Sequence, residues 1–121
     1  MKSYKLSFGT IVLIKENLAE VIINDGVVMD EIMVDEYHDF LLTALARPFS
    51  LLINKKHSYT YTFYAQKTIL NLKEVKAMAV LVYNRGGIMS TETLINLNES
   101  SNWNIKLFQF RDEAVNWLDK Q

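Results

Sequence analysis

Cysteine is absent from this 121-residue chain, and histidine, proline and glycine are scarce at two, one and four residues. Without cysteine there is no disulfide scaffold, no thiol nucleophile and no zinc site with a sulfur ligand, which suits a reducing compartment such as the cytoplasm. No Pro-, Ser- or Gly-rich linker, low-complexity tract or internal repeat divides the chain, so residues 1–121 are expected to form a single domain. An excess of positive charge is missing too: thirteen Lys and Arg face fourteen Asp and Glu, for a net charge of −1. Binding to nucleic-acid backbones needs a basic excess or a basic face, so no nucleic acid is expected as a partner. Long apolar runs are also lacking. The longest, Ala77–Tyr83, covers seven residues, against the roughly 20 that a membrane-spanning helix needs. The start, Met1–Lys5, leads into an alternating segment and not into the apolar core of a secretion signal. A soluble cytoplasmic protein is the expectation. Half of the residues are apolar, enough for a hydrophobic core at this length.

Periodicity orders these apolar residues. Tyr4, Leu6 and Phe8 alternate with Lys5 and Ser7, the pattern of a half-buried strand. Thr10–Ile14 and Leu18–Ile23, separated by Lys15-Glu16-Asn17, read as an antiparallel hairpin that Asn24-Asp25-Gly26 turns away. From Asp30 to Ala46 the period is helical, with Met33, Tyr37, Phe40, Leu41 and Ala44 on one side, Asp30 as N-cap and Arg47-Pro48 as terminator. Phe49–Asn54 is a buried strand, Tyr61–Asn71 a helix, and Lys76–Asn84 the central strand, apolar on both faces. Arg85-Gly86-Gly87 is read as a turn before a helix over Ile88–Asn98, and Asn98–Asn102 as a polar loop. A strand over Ile105–Phe110 and a short helix capped by Asp112 close the chain. Strands alternating with helices predict an α/β fold whose mixed sheet has an antiparallel N-terminal edge, parallel later strands and helices packed on it. Ile53, Val80, Leu81, Val82, Leu107 and Phe40 are the expected core.

The ending Lys106–Leu118, with its strand, charged turn, Ala114 and Trp117-Leu118, resembles the STAS or SpoIIAA-like family, specifically its small stand-alone bacterial members. Val75–Leu81 is similar to the family's central strand, and the acidic helix followed by Pro48–Asn54 to its earlier αβ unit, so nearly the whole chain is covered. The resemblance implies a SpoIIAA-like fold and a non-enzymatic regulatory domain, of the anti-sigma-factor-antagonist type, that binds another protein. It also implies a candidate phosphoacceptor. Regulatory members carry a kinase-targeted Ser in an Asp-Ser-Gly-like setting after a strand, and the nearest equivalent here is Ser58, flanked by His57 and Tyr59.

Several constellations compete for a chemical role. Asp35 and His38, with Asp39 beside them, have the i, i+3 spacing of a ligand pair, but no second pair accompanies them, so no metal or cofactor is expected. His57 and Ser58 are adjacent and lack the Gly-x-Ser-x-Gly elbow, so no catalytic nucleophile is expected either. Arg85-Gly86-Gly87 can cradle an anion, yet it lacks a complete phosphate-loop pattern. The aromatics Tyr59, Tyr61, Phe63 and Tyr64 supply the alternative function, a carrier for a small apolar, lipid-like ligand. Trp103 and Trp117 are read as packing residues.

Charge is strongly polarised along the chain. Glu16–Ala46 holds eight acids and no base, whereas Arg47–Arg85 holds seven bases against Glu74. Opposed potentials suit docking to another protein or to a second copy as a homodimer. The candidate partner-binding residues are Asp35, Asp39 and Leu42 on the outer side of the acidic helix, opposite Met33, Phe40 and Ala44, together with Lys55 and Lys56 on the loop.

Overall fold

A computed structural model describes residues 1–98 and 103–121. Its elements are β1 (Lys2–Leu6), β2 (Gly9–Lys15), β3 (Leu18–Ile23), β4 (Val28–Met29), α1 (Glu31–Ala44), β5 (Phe49–Asn54), β6 (Thr60–Tyr61), α2 (Phe63–Thr68), β7 (Val75–Leu81), α3 (Arg85–Leu97), β8 (Ile105–Phe108) and α4 (Arg111–Asp119). Six strands form one sheet in the order β1-β2-β3-β5-β7-β8. The first three pair antiparallel, and β3, β5, β7 and β8 pair parallel. This is the mixed α/β architecture expected. β7, the central strand of the sequence reading, lies between two neighbours.

Side-chain alternation assigns the two faces of the sheet. Val21, Ile23, Phe49, Leu51, Ile53, Met78, Val80 and Val82 face a core closed by Val34, Tyr37 and Leu41 of α1, Ala65 of α2 and Leu94 of α3. Leu18, Leu52, Ala77, Ala79 and Leu81 face the other way, where Ala114 and Leu118 of α4 cover them. Ile53, Val80, Leu81 and Val82 are buried as expected, while Leu107 and Phe40 are half-buried and pack at the margin. Two strands have one free edge each, and both edges carry lysine, Lys2 and Lys5 on β1 and Lys106 on β8, a charge placement that discourages edge-to-edge pairing. Among the described residues no helix is long and apolar enough to cross a membrane.

Two glycines are required by the backbone. Gly26 adopts φ 78° in the turn after β3, and a Cβ on Gly9 would collide with the Ile22 carbonyl oxygen of the adjacent strand.

Local details depart from the sequence reading, each for a physical reason. Helix α2 is shorter than Tyr61–Asn71 because Thr60 and Tyr61 pair with Val28 and Met29 in a small parallel sheet, after which Thr62 caps the helix through Ala65 N. Arg85-Gly86-Gly87 is not a turn but the first turn of α3, because Asn84 Oδ1 accepts from Gly87 N at 2.8 Å and starts the helix there. Asp112 is not a cap: α4 begins at Arg111, with Phe110 at the cap position and Asp112 in the first turn. Asp30 caps α1 as expected, accepting from Met33 N at 2.9 Å. Of the expected loop Asn98–Asn102, residues 99–102 lie outside the described residues.

Candidate functional site

Parallel strands end together, so the C-terminal ends of β3, β5, β7 and β8 and the helix N-termini that follow them share one edge of the molecule. Lys55 sits at this carboxyl edge. Its N–H continues the ladder by donating to Leu81 O at 2.9 Å, and the parity of Phe49, Leu51 and Ile53 sends its side chain to the α1–α3 face. The result is a lysine only 7% exposed. Its Nζ stands 5.1 and 5.6 Å from the ring centres of Tyr59 and Tyr61 and 3.4 Å from Ser90 Oγ. Burial pushes its pKa down to about 8.

Above Lys55 opens a cleft of about 260 Å3, bordered by His57, Ser58, Asn84, Gly86, Gly87 and Ser90. Two features that are separate in the sequence, the loop after β5 and the glycines after β7, therefore form one site. Ser58 is exposed, and its loop is pinned to the β3–β4 turn: Ser58 N donates to Asp25 Oδ1 at 3.1 Å, and Gly26 N donates to Ser58 O at 2.8 Å. The helix start that Ser58 borders is that of α3.

Beneath Lys55, among Tyr37, Tyr59, Tyr61, Thr91 and aliphatic neighbours, lies a cavity of about 30 Å3, room for roughly two water molecules. Tyr59 and Tyr61 hydroxyls approach to 3.4 Å. Burial raises all three phenols, Tyr61 to about 12.

The acidic helix differs from expectation. Its buried line is Val34, Tyr37, Leu41 and Leu45, rotated about one residue step, or ~100°, from the Met33–Phe40–Ala44 line. That rotation brings Leu42 to the flank, half-buried and packed on the core, with its carbonyl accepting from Arg47 Nη2 at 3.2 Å. Leu42 is therefore not an outward contact. Asp35 and Asp39 are exposed, and the apolar residue on their side is Ile32, 75% exposed. His38 Nε2 bonds to Ile69 O at 2.9 Å, tying α1 to the end of α2. Lys56 is exposed as expected, whereas Lys55 is buried and is not a surface contact.

Sequence reasoning also missed Glu20, counted there only among the acids of a polarised surface. It is buried on the α4 face and bonded to Asn54 Nδ2 at 2.9 Å and to Arg111. The alternation of β3, which puts Glu20 between Leu18 and Ile22, is the signal that places it under α4. The four clustered aromatics divide: Tyr59 and Tyr61 turn inward, Phe63 and Tyr64 remain exposed. Trp103 packs on the main core, and Trp117 lies 5.6 Å from Phe108 beside the smaller one.

No family model matches the chain, and no curated protein or solved structure matches it.

Proposed function

We propose that the chain is a non-enzymatic protein-interaction domain of the cytoplasm that docks its partner against the carboxyl edge of the parallel strands. The observation that carries this reading is the placement of exposed apolar side chains. Among the described residues ten large apolar side chains are exposed, and seven of them follow strand ends or open helices at this edge: Val28, Ile32, Phe63, Tyr64, Tyr83, Met89 and Phe110. Single exposed apolar residues are ordinary, but a collection on one edge is the composition of an interface. Aromatic residues and Met are also the types enriched where proteins meet.

Charge supports a protein and not an anionic membrane as the partner. Glu31, Asp112 and Glu113 share this edge with Lys56 and Arg85, a mixed pattern suited to a complementary protein face, whereas an anionic bilayer selects a basic one. The STAS resemblance of the sequence implies the same kind of role, a regulatory domain that binds another protein. The alternative, a lipid-like carrier, receives no such support from a cavity of about 30 Å3.

The test is quantitative affinity capture from the source cells with the parent chain, a Phe63→Ser/Tyr83→Ser variant and a control Tyr4→Ser variant. A protein retained by parent and control, and depleted about tenfold or more by the edge variant, supports the reading. Equal recovery by all three removes it.

A further inference from the structure

Lys55 is a buried ammonium without a counter-ion. Among the described residues no carboxylate lies within 4.0 Å of it, and the contact with Ser90 Oγ, at 3.4 Å, is long and occupies one of three donors. The two tyrosine rings offset part of the desolvation, but two N–H donors of a charged group remain to be satisfied. The side chain borders the cleft of about 260 Å3.

Other groups on that cleft can donate as well. Gly86, which lines the cleft, has an N–H that precedes the first intrahelical bond of α3 and points out of its positive end. Asn84 caps the helix by accepting from Gly87 N with its amide oxygen, and its neutral side chain brings no negative charge to the cleft. Ser58 and Ser90 add hydroxyl donors from two sides. An ammonium, an amide and two hydroxyls, arranged on different walls, match a tetrahedral oxyanion better than a planar carboxylate.

We infer that this cleft binds the phosphate group of a small free phosphomonoester, with Lys55 as its counter-ion. Its organic part occupies the remainder of the cleft. This inference does not depend on protein docking at the rim, and either can fail alone.

The test is an NMR titration of the full 15N-labelled chain with inorganic phosphate at constant ionic strength, chloride being the control anion. Saturable shifts are expected at the Gly86 and Ser58 amides, which line the cleft. Lys55→Met, which keeps the side-chain length and removes a buried charge, is expected to weaken phosphate about tenfold or more with an otherwise native spectrum. Lys56→Met, at the exposed neighbour, is expected to change it less than about twofold. Shifts that never saturate, or that Lys55→Met leaves unchanged, overturn the site. Mass spectrometry of the chain from its own host separates the sources of phosphate. A phosphate-bearing mass lost on denaturation supports a free ligand, and one retained on Ser58 contradicts it.

Discussion

Arg111, the first residue of α4, forks onto Glu20 in β3, with Nη1 2.8 Å from Oε2 and Nη2 2.6 Å from Oε1. The Glu20 side chain is 8% exposed and the Arg111 side chain 47% exposed, so one partner reaches in from solvent to neutralise the other. The fork holds the last helix over β5 and β7, where Ala114 and Leu118 pack on Leu18, Leu52, Ala77, Ala79 and Leu81.

Removing that guanidinium leaves a buried carboxylate held by Asn54 alone. Arg111→Met is expected to cost about 1–3 kcal/mol of stability near neutral pH in urea denaturation. The Arg111 hydrogen bonds hold the Glu20 pKa below its ordinary value. The stabilisation is therefore present above the unfolded carboxyl pKa and fades as pH falls through the folded one. Parent and variant are expected to converge in acid. A Glu20→Leu/Arg111→Met double variant, which removes both charges, is expected to recover most of the loss.

Lys55 carries the opposite charge, yet its pKa is lowered too and stability again rises with pH. Its folded pKa, about 8, lies below the unfolded value, so the unfolded chain holds more protons between the two and stability rises with pH across that interval. The rise is clean only below about pH 9.5, since phenols with raised folded pKa values then begin to favour the unfolded state. From about pH 8 to 9.5 the parent is expected to gain on the order of 1–2 kcal/mol relative to Lys55→Met. Chemical denaturation of both across this range checks it, and parallel profiles would show that Lys55 is solvated.

Gly9 tests the hairpin. Because a Cβ would strike the Ile22 carbonyl oxygen, Gly9→Ala must shift β2 against β3 and is expected to cost about 1–3 kcal/mol. Gly26→Ala, with φ 78° but open space around the new Cβ, is expected to cost about 1 kcal/mol. Thermal denaturation of the two side by side separates collision from dihedral strain.

Much of the fold was legible because burial imposes a simple period. The both-faced apolar run at β7, the aliphatic runs of β2 and β3 and the Asp30 cap all follow from local chemistry. The same parity rule, carried one residue past β5, points to Lys55, whereas equating charge with exposure assigns it to a solvated loop. Leu42 was misplaced because several apolar lines run along α1, and only packing against the sheet selects Val34–Tyr37–Leu41. The pairing of Thr60-Tyr61 with Val28-Met29 joins segments about thirty residues apart and leaves no local period. The candidate site was visible only in halves, since Ser58 and Gly86 meet through the parallel pairing of β5 with β7.

The most direct test of the docking edge is site-specific photocrosslinking in the source cells. Photoreactive residues at Phe63, Tyr83, Met89 and Phe110 report the carboxyl edge, and residues at Glu16 and Lys73, in the turns before β3 and β7, report the opposite one. The expected result is one common protein adduct from the four edge positions and none from the two controls. Adducts from Glu16 and Lys73 without any from the carboxyl edge would contradict the account.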